Sequence, residues 1–382
     1  MSSYHSQTSL PLPTDDQIDH SARLVQRIVE QIQSSGVISF RDYMQYCLYE
    51  PGLGYYAAGS TKFGAAGDFV TAPEITSLFG ACLANHMQTL FAQSLKKNAL
   101  EIGAGTGKLC LDIVQRLREL HISLESYSIL ETSSDLRQRQ QQLLQQHLTK
   151  DEFASIRWLD TLPENFDGIV LGNEVLDAMP VNVVLKQQDW VELGVGYSDE
   201  QFHWQPLSTE SAAVSQIKQI DAKNDLPQQY CTEVNLNYVP WCQSLADSCG
   251  KAVVLLIDYG YLQSQYYADL RVSGTLSCFY QHRIHGDPFV YPGLQDITAF
   301  VDFDAFADAS LLAGFEIKGL SSQASFLMQN GLLELGLDGD RNEMEQLAHS
   351  QQMKTLTLPG EMGEKFKVIG LTKNIDLNMT GL

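Results

Sequence analysis

Positive charge is scarce in this sequence. Lys and Arg number 25 against 46 Asp and Glu, a net charge of −21 that is spread along the chain and not gathered in one tail. Such a surface repels phosphate backbones, so nucleic acid is excluded as an expected partner, whereas solubility or a cationic substrate fits it. Leader signals are scarce as well: the first 20 residues, "MSSYHSQTSLPLPTDDQIDH", hold no Lys or Arg and no long apolar run, which fits neither a secretory signal nor an Arg-rich transit peptide. The longest apolar run of note, "AVVLLI" at 252–257, falls far short of the ~20 residues that span a bilayer, so no membrane insertion is expected. Seven cysteines, at 47, 82, 110, 231, 242, 249 and 278, form no CxxC pair and leave one over in any pairing scheme. This fits a reducing compartment, and the cytoplasm is the expected location. The HxxH at His282 and His285 has no nearby cysteine and no HExxH frame, so no metal site is expected.

What is present is material for a core. Hydrophobic residues make up 44% of 382, with 16 Tyr and 16 Phe, and a single core stops growing near ~250 to 300 residues. One main domain with elaborations follows. "HSARLVQRIVEQIQSSG" places Val25, Ile28, Val29 and Ile32 at helical spacing and stops at Gly36. Ser39 and Asp42 then make a capping-box pattern ahead of "FRDYMQYCLY". "YEPGLGYYAAGS" and "KFGAAGDFVTAPEITSLFG" read as loops, with Thr71 and Glu74 at capping-box spacing where a helix starts after Pro73.

From residue 98 strands alternate with helices. Strand patterns lie at 98–103, 127–132, 155–160, 168–172 and 252–258, then near 315 and near 365, mostly as apolar runs of the kind buried on both faces of a parallel sheet. The expected fold class is α/β, a doubly wound, seven-stranded, mostly parallel Rossmann-like sheet with N-terminal helices. The connections 173–251 and 259–314 are too long for simple crossovers and read as two large insertions over the carboxyl ends of the strands. The expected division is an N-terminal helical cap over 1–95, a nucleoside-binding domain over 96–258 and 310–382, and substrate-side insertions over 185–250 and 259–309. The Gln-rich run "RQRQQQLLQQHL" reads as a solvated helix face.

The chemistry centres on "NALEIGAGTGKLCLDIV". A P-loop needs GxxxxGK followed by Ser or Thr, but Lys108 precedes Leu109, and Ile102 stands where the first glycine belongs. A dinucleotide fingerprint needs a third glycine where Lys108 stands, which weakens an NAD-dependent dehydrogenase reading. What remains is Glu101 at a strand end, Gly103, Gly105 and Gly107, then Glu131 at the end of the next strand, 24 residues beyond Gly107. Glycines let a nucleoside lie directly on backbone. Glu131 stands about where a ribose-binding carboxylate belongs; Glu101 suits an amino-acid ammonium, and Asp160, ending a third strand, an adenine amino group. Each acid alone also fits a solvated strand end; together they point to S-adenosyl-L-methionine.

"LEIGAGTGKL", "GNEVLDAMPV", "GDFVTAPEITSLFG" and "HRIHGDPFVYPGLQDITAFVDF" together resemble the MidA-like family of class I S-adenosylmethionine-dependent methyltransferases. The resemblance runs from about residue 20 to the end. It implies S-adenosyl-L-methionine as cofactor and, from the mitochondrial members that serve complex I assembly, methylation of an arginine side chain in a respiratory-complex subunit or a bacterial counterpart. It also implies that the loop carrying Asp68 and Glu74 closes over the cofactor, and it supports reading the segment around His282 as a substrate lid.

Methyl transfer is an in-line displacement, so the protein must align a nucleophile and exclude water. After the fourth strand, Asn173 is expected to position cofactor or substrate. Glu174 and Asp177, on one face if the segment turns as a helix, are expected to clamp a guanidinium. Helix-start capping is the plainer role for the three. His282 is a candidate proton acceptor. A non-catalytic, cofactor-binding assembly factor is the alternative from another class, and a homodimer is among the expectations.

Overall fold

The computed structural model describes residues 10–58, 71–337 and 343–382. The apolar runs become strands of one sheet: β1 (Asn98–Ile102), β2 (Ser126–Leu130), β3 (Ile156–Leu159), β4 (Phe166–Asn173), β5 (Cys249–Tyr261), β6 (Val301–Asp302), β7 (Glu316–Ser322) and β8 (Phe366–Lys373). Their order is β7-β8-β5-β4-β1-β2-β3, with β6 pairing β5 beside this path. From β5 to β3 every neighbour is parallel, while β8 runs antiparallel to both β5 and β7. The sheet therefore has eight strands where periodicity finds seven. The extra one, β6, is two residues long and pairs with Gly260 and Tyr261, too short to carry a period of two.

Residue parity along the strands sorts the core onto two faces. Ile129, Ile169 and Leu255 face α4 (Leu78–Phe91) and α5 (Lys108–Glu119), with Phe79, Leu83, Cys110 and Ile113 in the same cluster. Leu100, Val170 and Leu256 face the other way, against Tyr238 and Phe306. The chain order reverses between β1 and β4, which opens a crevice at their carboxyl ends. There the glycine loop leaves β1 and the "GNEVLDAMP" segment leaves β4.

The first long connection builds a second sheet. Asn182–Lys186, Trp190–Ser198, Gln201–Ser208 and Cys231–Val234 pair antiparallel, and Ile38–Ser39 joins from the N-terminus through Val195 and Gly194. Helices α1 (Asp15–Ser35) and α2 (Phe40–Tyr49) cover this sheet, with Leu24, Ile28, Phe40 and Tyr43 against Val183, Leu193 and Val195. In the second connection Ser277–Tyr280, Arg283–His285 and Asp296–Thr298 make a small antiparallel sheet. It is pinned to the N-terminal helices: Tyr43 donates to the Pro288 carbonyl at 3.0 Å and Ser21 to that of Pro292 at 2.8 Å. The described part of residues 1–95 does not pack as one cap, since α1 and α2 join the insertions while α4 joins the main sheet.

α1 starts at Asp15, earlier than its apolar stripe, because Thr14 and Gln17 close a capping box. Ser39 caps α2 by accepting from the Asp42 backbone at 3.0 Å. Thr71 precedes α3 (Ala72–Ile75) without a side-chain cap, so the box expected with Glu74 does not form. No helix among the described residues is long and apolar enough to cross a membrane.

Candidate active site

The glycine loop owes its shape to backbone angles that side chains resist. Gly103, Gly105 and Gly107 have φ of 67°, 52° and 88°, in the left-handed region where glycine alone is unstrained. Space above Gly105 is open: a Cβ there would meet no atom within 4 Å. Lys108 does not point to a phosphate. Its Nζ is held by both oxygens of Asp112 one turn on, at 2.5 and 2.6 Å, as its missing Ser or Thr partner led us to expect.

Glu131 lies beside the loop, only 8% exposed. One carboxylate oxygen accepts from the Ser133 backbone at 2.8 Å and the other from Gln140 Nε2 at 3.1 Å. Burial raises its pKa against these bonds. Glu101 is more deeply placed, 2% exposed, and accepts from the Tyr127 hydroxyl at 2.7 Å. Burial pushes its carboxyl up to about 7 despite that bond. Asp160 is exposed and ion-paired with Arg137 at 2.7 Å. Glu74 reaches the glycine loop itself, accepting from Thr106 Oγ1 at 2.5 Å, and this is where the side chain went that the capping box would have used. Asp68 lies outside the described residues.

The second half of the site follows β4. Asn173 ends the strand, and Glu174 takes a φ of 54° with its N–H bonded to the Ile257 carbonyl at 2.8 Å. The segment does not turn as a helix; residues 174–179 form bends and a turn. Asp258, wholly buried at the end of β5, causes this. One of its oxygens accepts from the backbone N–H groups of Val175, Leu176 and Asp177 at 3.1, 2.8 and 3.2 Å. The turn still brings Glu174 and Asp177 together, half-buried and buried. Burial, then the Asp177 charge, raises Glu174 well above the usual carboxylate range. Burial takes Asp177 to about 6, and burial raises Asp258 as well, helped by Asp177 and Glu174. Asn173 Oδ1 and Asp177 Oδ1 are buried without a hydrogen-bond partner. Among the described residues no ion pair reaches Glu174, Asp177 or Asp258.

Three side chains in this region carry no clear signal in the sequence pattern. Tyr49 and Tyr56 stack with ring centroids 5.6 Å apart; Tyr49 donates to the Ala178 carbonyl and Tyr56 to Asp296, both at 2.9 Å. Their only signal is the tyrosines of "YEPGLGYY", a stretch whose pattern is that of a loop. Gln140 is wholly buried, contrary to the solvated-face reading of its Gln-rich helix, α6 (Ser134–His147). His282 is exposed on the hairpin turn between Tyr280 and Arg283, with φ of 60°, and the structure does not bring it into the carboxylate group.

Residues 78–321 match the family described as S-adenosyl-L-methionine-dependent methyltransferases. A Burkholderia thailandensis protein whose crystal structure holds S-adenosyl-homocysteine is 39% identical, with a TM-score of 0.91 over 98% of this chain and 97% of that one. The chain belongs to the MidA-like S-adenosylmethionine-dependent methyltransferases. The methyltransferase is also 29% identical to the mitochondrial protein arginine methyltransferase NDUFAF7 homolog of Caenorhabditis elegans, over 90% of this chain and 85% of that protein. The NDUFAF7 protein of Danio rerio gives the same identity and coverage. These relations displace the dehydrogenase and non-catalytic alternatives: the chain is an enzyme, and its cofactor is S-adenosyl-L-methionine.

The residues present fit that cofactor. The open backbone over Gly105 and the buried carboxylate of Glu131 follow β1 and β2 at their carboxyl ends, and the orphaned Oδ1 of Asn173 is at that of β4. In the methyltransferase Gly103, Gly105 and Glu131 would hold a nucleoside, since neither a phosphate-binding lysine nor a third dinucleotide glycine is in place.

Proposed function

We propose that the methyltransferase methylates the guanidinium of an arginine in a protein substrate, with Glu174 and Asp177 as the clamp. The observation that carries this is the group of carboxylates at the ends of β4 and β5, Asp177 and Asp258 buried and Glu174 half-buried, that no cation among the described residues neutralises. A guanidinium offers planar donors to two carboxylates at once, and returning them to the ionised state offsets the cost of their burial. When bound, S-adenosyl-L-methionine supplies an electrophilic methyl on a sulfonium. A guanidinium nitrogen forms the new N–C bond as the S–C bond breaks, and the proton it sheds passes to a carboxylate. Asp177, held near 6, is poised for that acceptance. Tyr49 and Tyr56 wall the clamp with aromatic faces on which a guanidinium stacks.

The net charge of −21 supports a basic segment as substrate and disfavours nucleic acid. The relatives from nematode and zebrafish bear the words protein arginine methyltransferase and mitochondrial in their names. The family resemblance puts a respiratory-complex subunit or its bacterial counterpart forward as target. The cytoplasm stays part of the proposal on the strength of seven free thiols, which fit a reducing compartment. His282 has no part in the clamp as proposed. Turnover of Glu174→Gln on a protein extract tests the reading: kcat/KM falling about a hundredfold supports it, and wild-type turnover on arginine would sink it.

A further inference from the structure

One fully buried amide ties the glycine loop and Glu131 to Trp158 of β3. Gln140 Nε2 donates to the Gly105 carbonyl at 2.9 Å and to Glu131 Oε2 at 3.1 Å, while its Oε1 accepts from Trp158 Nε1 at 3.0 Å. We propose that Gln140 is a positioning residue for S-adenosylmethionine, an amide strap that sets the glycine loop and the Glu131 carboxylate in register before the cofactor arrives. The inference rests on the cofactor's identity and not on the arginine reading, so the two stand or fall separately.

The orientation of the amide follows from its partners. An indole N–H only donates, so the oxygen of Gln140 must face Trp158, and both amide hydrogens are left for Gly105 and Glu131. With Ser133 N–H on its other oxygen, Glu131 has each oxygen fixed by one donor. A carboxylate accepts about four hydrogen bonds, so it keeps capacity for the two hydroxyls of a ribose. The strap also packs on the loop: a Cβ on Gly107 would come within 3.2 Å of Gln140 Cγ. None of these contacts closes a helix or a core that an apolar residue could not close. Gln140 is the group in the Gln-rich helix whose polarity the crevice uses.

The test is calorimetric titration of the purified full-length protein with S-adenosyl-homocysteine, with the ligand-free melting temperature measured alongside. Gln140→Leu is expected to raise Kd about tenfold or more, the loss of a hydrogen bond to an ionised group, while Trp158→Phe, which keeps a ring but removes the N–H, raises it less and in the same direction. Gln140→Glu sets a second carboxylate against Glu131 and the Gly105 carbonyl. Its affinity is expected to fall as pH rises through the carboxylate range, a decline the wild type lacks. Wild-type affinity in folded Gln140→Leu, or a wild-type pH dependence in Gln140→Glu, would overturn the proposal. If Gln140→Leu does not fold, unchanged affinity in Trp158→Phe together with unchanged pH dependence in Gln140→Glu overturns it equally.

Discussion

Asp177 carries two consequences of one cause. Burial raises its carboxyl to about 6, above the ordinary aspartate range, so between the two the folded state holds a proton that the unfolded chain has released. The stability it contributes is present below its unfolded pKa and is lost as pH rises through about 6. Asp177→Asn, which cannot ionise, is therefore expected to melt above the wild type near neutral pH, with the advantage gone at about pH 4; an unchanged difference at both would refute the shift. Catalysis moves the opposite way, because the clamp must be ionised: kcat/KM on an arginine substrate should climb through about pH 6, and the climb should be lost in Asp177→Asn. Of these residues, Asn173, Glu174 and Asp177 were legible in the sequence as an acidic segment after an apolar strand. What held them was not: the segment folds as a turn tied to Asp258, a residue 81 positions away from Asp177.

Among the elements, the strands of the parallel sheet were readable because burial on both faces leaves unbroken apolar runs such as "AVVLLI". The second sheet was not, since one of its strands, Ile38–Ser39, comes from some 150 residues upstream of its partners Val195 and Gly194. No local period reports such a pairing. Composition likewise hid Gln140, one glutamine among many on α6, and only its neighbours distinguish it. Helix α1 packs on the second sheet, with Leu24 and Ile28 against Val183 and Val195, whereas Tyr49 at the end of α2 reaches the segment after β4, so the energetics of α1 are separate from those of the glycine loop. Thr14→Ala should lower stability in denaturant titration by about 1 kcal/mol through loss of the α1 cap. Affinity for S-adenosyl-homocysteine should stay unchanged, and a parallel loss of affinity would show that the helices reach the cofactor.

The whole molecule adds long-range charge to this local chemistry. With −21 spread over the surface, encounter with a basic protein segment is steered electrostatically, and salt screens that attraction over a Debye length of ~10 Å at 0.1 M. KM for a basic substrate should rise as ionic strength increases, with kcat little changed; a salt-independent KM would assign recognition to the clamp alone. The thiols should be passive under the same conditions. Burial pushes Cys47, Cys82 and Cys231 up to about 12, so a thiol reagent at neutral pH should react slowly with the native protein and fully only after unfolding.

The central claim is that a guanidinium is the group methylated. Purified methyltransferase incubated with labelled S-adenosyl-L-methionine and the protein extract of a strain lacking it, followed by mass spectrometry of the labelled peptides, measures this directly. The account predicts label on arginine side chains, abolished or reduced about a hundredfold by Glu174→Gln. Label on another residue type, or on no protein while the cofactor binds, would contradict it.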